Sequence, residues 1–491
     1  MLFHSFRFLI FFPCVFFLYY LLPFRFRNYM LLAASYYFYM CWKPEFIVLI
    51  LISTAIDYFC GLGIAKFRKS KRVSRALLSV SMCMNLGLLF FFKYMNFFGE
   101  TLTAVCRSIS IPFSAPTLDL ILPVGISFYT FQTMSYTIDI YRGRMKPEQN
   151  FITFALYVSF FPQLVAGPIE KAANLLPQLR QSHPFSYDNA TYGLKLMAWG
   201  FFKKLVIADR LAALLVDPVY QNPSHYSGGV FLLSSAAFAL QIYCDFSGYS
   251  DIARGCAKTM GIDLMVNFKA PYLSASIREF WQRWHISLTS WFREYVYIPL
   301  GGNRKGPWKK VLFVTITFFL SGLWHGAGWN FVVWGLLHAV YLNADFLFAL
   351  NKQMSPPPRT FCRRILHRFS SLCSLPLTFA LCSFAWIFFR ANSVSAAFYI
   401  LRHSITGIKT PLRYIKAALL TLYPGPVLTA AVLFSLLLLL LFDVVNERQD
   451  PIRLISAWPV WLRWPIYLAF LLLLLLLIPR ESTTPFIYFQ F

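Results

Sequence analysis

The chain has 491 residues, of which 58% are hydrophobic and only 13% are charged, so its composition excludes an ordinary water-soluble enzyme. Its formal net charge of +25 does not indicate a nucleic-acid partner, because the basic residues lie in short loops between apolar segments, as the positive-inside rule predicts for a membrane protein. We expect the headgroups of the lipid bilayer to be the partners of these charges.

Apolar segments that can cross or enter a bilayer recur along the whole chain. We predict an all-α polytopic membrane protein with about eleven transmembrane helices, plus re-entrant and interfacial helices. Pro123, Pro162 and Pro168 interrupt the middle segments, and such breaks need protein or water to satisfy the freed backbone groups, which favours a central funnel or tunnel. The predicted segments are 6–22, 29–42, 45–65, 76–98, 120–140, 151–167, 190–216, 228–247, 311–323, 328–350, 374–390, 425–445 and 460–479.

We interpret the chain as a single membrane domain. It has N-terminal helices over residues 1–100, a core that carries the catalytic candidates over 101–390, and C-terminal helices with an aromatic tail over 391–491. Its ten cysteines are scattered and show no CxxC spacing, so neither a disulfide framework nor a zinc site is predicted.

Residues 271–300 differ from the apolar segments around them, because charged residues alternate with tryptophans. Ser274 or Ser276 can cap a helix start, with Glu279 three residues after Ser276, and the composition predicts an amphipathic helix at or just within the membrane interface. A basic loop follows at 302–310, which favours the cytoplasmic side. Within this segment, Arg283 and Trp284 are candidates to contact the substrate or to line a tunnel, and His285 is a candidate catalytic residue. The arginines either hold a phosphate-bearing carrier or extend to lipid headgroups, and the sequence leaves both readings open.

The most informative segment is 324–330, with the sequence WHGAGWN, inside an apolar stretch. An ionisable side chain at membrane depth indicates a functional site, and histidine moves protons near neutral pH. A neutral His325 would accept the proton of a hydroxyl that attacks an activated carbonyl, without a metal. Trp324 and Trp329 are candidates for tunnel walls, and Asn330 is a candidate donor to an oxyanion. The alternative is a histidine that only hydrogen-bonds between helices, and the same alternative stands for His285.

Other polar residues in apolar surroundings are interpreted as structural. Asp251 and Arg254 have the spacing of a helical ion pair, and Asp245 precedes them. His338 follows His325 by thirteen residues, and at about 100° per residue on one helix it would face another direction, which argues against a shared metal site.

Seven motifs together resemble the signatures of the membrane-bound O-acyltransferase family, and most closely its bacterial alginate O-acetyltransferase branch. Relatives in that branch acetylate peptidoglycan or other exported glycans, and a sister branch transfers D-alanine to teichoic acids. The motifs lie at residues 122–142, 160–169, 245–253, 280–288, 297–302, 322–330 and 384–390.

The resemblance implies a ring of helices around a thin funnel in the bacterial inner membrane. It implies that His325 matches the family's catalytic histidine and that His285 matches its second active-site histidine. A cytoplasmic thioester, expected to be acetyl-CoA, would deliver an acetyl group through the membrane to a polysaccharide, with an extracytoplasmic SGNH-like transferase or a small membrane relay protein as partner. Tyr488 resembles a tyrosine thought to relay the acyl group, and an aromatic anchor at the interface is its alternative reading.

Three rival functions remain at this point. The first is D-alanyl transfer to teichoic acid by the same chemistry. The second is a transporter or flippase for a glycan or lipid intermediate, with His325 lining the path. The third is a catalytically silent scaffold for a secreted transferase.

Overall fold

The computed structural model describes the backbone of residues 1–165, 167–353, 361–478 and 486–487, and the side chains of these residues except 348–353 and 361–372. Every regular element in these ranges is a helix. Six of the described helical segments are long and apolar enough to cross a membrane. The prediction of an all-α polytopic membrane protein is therefore confirmed. The six segments are Pro44–Lys66, Lys71–Ser108, Gly229–Thr259, Cys373–Arg390, Pro426–Asn446 and Val460–Leu477.

The chain forms two compact units. The first consists of Met1–Ala198 and Tyr249–Val266, and the second consists of Trp199–Gly248 and Asn267–Phe491. The first ten α-helices in chain order are α1 (Phe6–Leu21), α2 (Phe24–Met40), α3 (Ile47–Lys66), α4 (Lys71–Leu89), α5 (Met95–Ser108), α6 (Ile126–Tyr141), α7 (Phe151–Ser159), α8 (Phe161–Leu164), α9 (Ala172–Leu179) and α10 (Tyr187–Phe201).

A buried polar network joins three helices of the first unit. Asp57 on α3 is fully buried and accepts hydrogen bonds from Ser81 Oγ at 2.5 Å and Asn85 Nδ2 at 2.8 Å, both on α4. Thr133 on α6 donates to Asn85 Oδ1 at 3.3 Å. Because lipid offers no hydrogen-bonding partner, such side chains hold membrane helices together.

The start of α6 differs from the prediction. The sequence predicts an apolar segment over 120–140, whereas the helix begins at Ile126. Gly125 precedes it with φ of +77°, and a Cβ added there would lie 2.5 Å from the carbonyl oxygen of Leu164. Glycine adopts this left-handed conformation readily and, because it has no Cβ, it fits against the backbone of Leu164. The helix therefore starts after Gly125, and a hydropathy pattern does not show such a start.

The remaining helices are α11 (Asp209–Leu211), α12 (Asp217–Gln221), α13 (Gly229–Thr259), α14 (Ile277–Arg283), α15 (Ile286–Phe292), α16 (Ile298–Leu300), α17 (Pro307–His325), α18 (Trp329–Gln353), α19 (Phe361–Arg390), α20 (Val394–Ser404), α21 (Pro411–Thr421), α22 (Pro426–Asn446), α23 (Pro451–Ser456) and α24 (Val460–Leu477). π-helical turns interrupt the regular helices at Phe90–Tyr94, Phe202–Ala208, Ala212–Val216 and Arg293–Tyr297.

Helices α17 and α18 form the closest helix pair around the predicted catalytic histidine. Glycines at the crossing let the two backbones touch: a Cβ on Gly322 would lie 2.4 Å from Phe331 O, and a Cβ on Gly335 would lie 2.3 Å from Phe318 O. Small residues at such positions permit the close packing that stabilises helix pairs in lipid. The turn that joins them spans only residues 326–328.

The predicted amphipathic helix over 271–300 is wrong as a single element. The structure breaks it into the short helices α14 and α15 at Trp284 and His285. Of the two predicted caps, Ser276 begins α14, because its Oγ accepts a hydrogen bond from the backbone N–H of Glu279 at 3.1 Å. The break places the site residues, as described next.

Candidate active site

The break between α14 and α15 turns His285 into the interior of the second unit. Trp284 is extended, and His285 has the left-handed values φ +42° and ψ 55°. Asn267 holds the turn, since its carbonyl oxygen accepts from Ile286 N at 2.9 Å and its side chain accepts from Ser287 Oγ at 2.9 Å. His285 is fully buried as a result.

His325 is the last residue of α17, where Gly326 leaves the helix with extended backbone angles. Its side chain is 2% exposed. The imidazole ring centroid lies 4.8 Å from that of Trp334, 5.0 Å from that of Trp324 and 5.4 Å from that of Phe389. The predicted catalytic histidine is thus enclosed by aromatic rings at the end of a helix that begins at the predicted basic loop.

The structure brings the two predicted histidines together. The ring centroids of His285 and His325 lie 6.4 Å apart, and Trp324 contacts both rings, at 5.9 Å and 5.0 Å. Phe246 closes the other side of His285 at 4.6 Å. Burial lowers the pKa of His285, which lies outside the six candidate spans, to about 3. The His285 imidazole is therefore neutral at physiological pH, the form that accepts a proton.

The other predicted tunnel residues divide into two groups. Trp284 is buried in aromatic packing 5.1 Å from both Phe268 and Trp386, whereas Trp329 is 52% exposed. Tyr488 lies outside the described residues.

Two of the predicted polar residues have structural partners. Asn330 donates through Nδ2 to the carbonyl oxygens of Phe388 at 3.3 Å and Ala391 at 3.0 Å, so both of its N–H groups are used. Arg283 pairs with Glu279 at 2.5 Å and also with Glu447. Both donors of Asn330 are therefore used within the protein, whereas Arg283 pairs with two carboxylates through two of its five N–H groups.

The prediction of where His338 faces relative to His325 has a wrong premise. It assumed one continuous helix, but α17 ends at His325 and the chain reverses before α18 begins at Trp329. His338 lies 5.0 Å from Trp334, which in turn lies 4.8 Å from His325. In the described part of the chain there is no group of three or more His, Cys, Asp or Glu side chains arranged to hold a metal ion.

A cleft of about 270 Å³ opens beside this aromatic cluster and was not predicted from the sequence. We call it the basic cleft, because Arg278, Arg293 and Lys310 line it and no acidic residue does so among the described residues. Its lining residues come from α14, α15, the π-helical turn Arg293–Tyr297, α17 and α18: Arg278, Trp281, Gln282, Leu288, Thr289, Phe292, Arg293, Tyr297, Lys310, Val314, Thr317, Phe318, Ser321, Leu342, Asn343 and Phe346.

One face of α17 connects the basic cleft to His325. Lys310, Val314, Thr317 and Ser321 all line the cleft, and their spacing keeps them on one side of the helix. His325 follows Ser321 by four residues, so it is the next side chain on that face. The spacing was the sequence signal for the cleft, but it becomes informative only when α14 and α18 are known to cover the same face.

Two further contacts involve the C-terminal segment. Phe486 packs 5.7 Å from Phe246, the ring that covers His285. The backbone N–H of Ile487 donates to Asp245 Oδ2 at 2.8 Å, and Lys204 pairs with the same carboxylate at 2.7 Å. The predicted structural role of Asp245 agrees with these contacts. The predicted pair of Asp251 and Arg254, in the first unit, is also present, at 3.1 Å.

Comparison with known proteins identifies the family. The family model of the membrane-bound O-acyltransferases matches residues 146–375. A probable alginate O-acetylase of Pseudomonas putida is 35% identical over 98% of both chains. A peptidoglycan O-acetyltransferase of Helicobacter pylori is 33% identical over 76% of this chain and 72% of its own length. A teichoic acid D-alanyltransferase of Bacillus subtilis is 26% identical over 56% of this chain and 71% of its own length. The chain belongs to the membrane-bound O-acyltransferase family and is an O-acyltransferase of its alginate O-acetylase-like branch.

Proposed function

We propose that this protein moves an acetyl group from a cytoplasmic thioester donor, acetyl-CoA, across the bacterial inner membrane for O-acetylation of an exported or cell-wall polysaccharide. His325 acts as the catalytic base. The names of the relatives support acetyl transfer to a polysaccharide, since those that cover most of the chain are alginate and peptidoglycan O-acetylating proteins. Acyltransferase membership disfavours the transporter and silent-scaffold alternatives.

The observation that carries the proposal is the continuous face of α17. The helix runs about 22 Å from Lys310 to His325 at ~1.5 Å per residue. Lys310 lies at one end of the cleft-lining face and Ser321 at the other, one helical turn before His325. A long, thin donor that enters beside Lys310 and extends along Thr317 and Ser321 would bring its far end to the imidazole.

The charges of the basic cleft suit a phosphorylated donor. Arg278 and Arg293 are exposed, and they share the cleft with Lys310. Guanidinium and ammonium groups bind phosphate oxygens through short, charge-assisted hydrogen bonds. The remaining lining is mostly apolar, as expected for the uncharged part of a thioester carrier.

The chemistry needs one base and one proton. The neutral His325 imidazole takes the proton of an attacking hydroxyl as its oxygen bonds to the thioester carbonyl carbon. The tetrahedral intermediate then collapses, the carbon–sulfur bond breaks, and the imidazolium returns the proton to the leaving thiolate. The products are an ester and a free thiol. His285, 6.4 Å away between ring centroids, is the second active-site residue and a candidate to pass the proton onward.

We further propose that a separate extracytoplasmic protein completes the transfer, either an SGNH-like transferase or a small membrane relay protein. Tyr488 remains the candidate hydroxyl for an acyl relay. Transfer of D-alanine to teichoic acid is the second candidate function, supported by the similarity to the Bacillus subtilis enzyme, but that similarity is weaker and covers less of the chain.

The test replaces the base. We expect His325→Ala to keep wild-type membrane expression and to lower ester-linked acetate on the cell-envelope polysaccharide at least about 100-fold, the usual contribution of general base catalysis. Acetate released by mild alkali measures the effect. His225→Ala, at an exposed histidine, is the matched control and should retain full acetylation.

Two outcomes would count against the proposal. A wild-type level of ester-linked acetate in the His325→Ala strain would contradict a catalytic role for His325. Release of D-alanine instead of acetate from the wild-type envelope would replace the donor and favour the second candidate function.

A further inference from the structure

Two aromatic side chains of the basic cleft lie next to the rings around His325. Trp281 on α14 is 6% exposed and lines the cleft, as does Phe318 on α17, with 5.0 Å between their ring centroids. Trp281 also lies 5.8 Å from Trp334, the ring that contacts His325 at 4.8 Å. His325 itself is not among the described residues that line the cleft. Trp281 therefore borders both the cleft and the rings around His325.

His338 fixes the orientation of Trp281. The indole Nε1–H donates to His338 Nδ1 at 3.2 Å, so the second imidazole nitrogen, Nε2, carries the proton. His338 is fully buried, and its Nε2 has no hydrogen-bond partner among the described residues. Its ring is parallel to that of Phe280, at an interplanar angle of 5° and a centroid distance of 6.2 Å.

A histidine in this position is costly unless it has a specific use. A buried polar group that lacks a partner destabilises the fold, and a phenylalanine would pack among the same rings without that cost. The hydrogen bond to Trp281 is the one interaction here that a phenylalanine does not provide. That bond restricts the rotation of a side chain that lines the cleft.

We propose that Trp281, held by His338, is the wall that selects short acyl groups, so that a two-carbon acyl thioester reaches His325 whereas longer chains collide with the indole. This inference rests on the proposed function and adds a specificity-determining residue and its positioning residue to it. Substrate pockets distinguish one methylene by about 10-fold to 200-fold, and a rigid indole is a suitable stop for such discrimination.

The test measures binding separately from transfer. Purified protein in lipid nanodiscs is titrated with S-ethyl-coenzyme A and S-butyl-coenzyme A, unreactive thioethers of different chain length, and the two Kd values are compared by calorimetry. We expect the wild type to prefer the ethyl compound by at least about tenfold. Trp281→Ala should abolish this preference by tightening binding of the butyl compound.

The variants at His338 separate positioning from packing. His338→Phe keeps an aromatic ring but removes the acceptor, and we expect it to weaken the preference for the ethyl compound. His338→Asn keeps an acceptor near the position of Nδ1 and should restore it. Trp199→Ala is the matched control, because Trp199 is 7% exposed and stacks on Phe442 away from the cleft lining. It should leave the ratio of Kd values unchanged.

The outcomes that overturn the inference are distinct from those that overturn the proposed function. Three outcomes would contradict the proposal that Trp281 selects short acyl groups. They are equal Kd values for the two thioethers in the wild type, an unchanged ratio of Kd values in Trp281→Ala, and no binding of either compound. The acetate assay on the His325→Ala strain reports on the proposed function and does not depend on these titrations.

Discussion

At the scale of single residues, the site depends on one strained position. His285 adopts a left-handed conformation, which costs a residue with a Cβ roughly 1–2 kcal/mol. Strain of this kind persists where surrounding contacts enforce it, and it concentrates at functional sites. Here Asn267 enforces it through two hydrogen bonds to the residues that follow, and the result is an imidazole 6.4 Å from that of His325.

The role of His285 can be tested without disturbing the turn. Asparagine tolerates the left-handed conformation better than most residues, so His285→Asn should fold with nearly wild-type thermal stability while losing the imidazole. We expect acetyl transfer to fall at least about 100-fold, as for loss of an acid–base group. The measurements are envelope acetate and the melting temperature of the purified protein.

Two comparisons make the result at His285 specific. His285→Ala should lose the same activity and also stability, since alanine fits the left-handed conformation poorly. His225→Asn, at an exposed site, should change neither quantity. Full acetylation in His285→Asn would show that acetyl transfer does not need the His285 imidazole.

The sequence predicts His325 as a site residue more strongly than it predicts His285. His325 is conspicuous because it lies inside an apolar stretch, where an imidazole is rare. His285 lies in a segment that already contains charges and tryptophans, so only the family resemblance singled it out. Its distance from His325 depends on a turn that contains neither glycine nor proline and is held by Asn267, a residue distant in the sequence. No local pattern predicts that turn.

At the scale of helices, the α17–α18 hairpin determines where His325 lies. Backbone contact at Gly322 and Gly335 leaves no space for a side chain between the helices. His325 lies at the end of α17, and Trp334, whose ring contacts it, lies one residue before Gly335. A small separation of the two helices would therefore move an aromatic wall away from the imidazole.

We expect Gly335→Ala to destabilise the protein and to reduce activity. The new Cβ would lie 2.3 Å from the carbonyl oxygen of Phe318, and a backbone atom cannot move aside as a flexible side chain can. Overpacking of this kind costs about 1–3 kcal/mol. Thermal unfolding in nanodiscs and envelope acetate measure the two effects.

The chain provides a matched control for that substitution. Gly87 also lies within a helix, and a Cβ there would meet nothing within 4 Å. Gly87→Ala should be neutral or slightly stabilising, because alanine favours helix by about 1 kcal/mol over glycine. If both substitutions had the same effect on the melting temperature, close helix contact at Gly335 would not matter.

Hydropathy predicted which segments are helical better than where those helices begin and end. The segment predicted over 228–247 continues as α13 to Thr259, because polar residues after 247 remain buried by packing. The segment predicted over 190–216 is interrupted by π-helical turns at Phe202–Ala208 and Ala212–Val216. The first difference arises because polar residues are buried by tertiary packing, whereas a hydropathy pattern treats them only as a loss of apolar character.

At the scale of the whole molecule, a buried ion cluster ties distant parts of the second unit together. Lys204 Nζ pairs with Asp209 at 2.9 Å and Asp245 at 2.7 Å, and its side chain is 1% exposed. Asp245 also accepts the N–H of Ile487, 242 residues further along the chain. The same carboxylate thus links the start of the second unit to the segment whose Phe486 packs beside Phe246 and, through it, His285.

We expect Lys204→Met to release that segment. Methionine fills the space but leaves the carboxylates of Asp209 and Asp245 buried without their shared cation, and breaking a buried ion pair costs about 3–5 kcal/mol. The Ile487 amide should then lose its protection from hydrogen exchange, because protection requires the closed, hydrogen-bonded state. Mass spectrometry of the peptide that contains Phe486 and Ile487 measures this, and thermal unfolding measures the loss of stability.

The control is an ion pair of the same unit at the surface. Arg453 lies 3.8 Å from Asp450, and its side chain is 74% exposed, so Arg453→Met should change stability by less than about 1 kcal/mol and leave the exchange of the Ile487 amide unaltered. Rapid exchange of that amide already in the wild type would contradict the proposed link between Asp245 and the segment that contains Ile487. Slow exchange in Lys204→Met would mean that apolar packing of Phe486 holds the segment in place without the ion cluster.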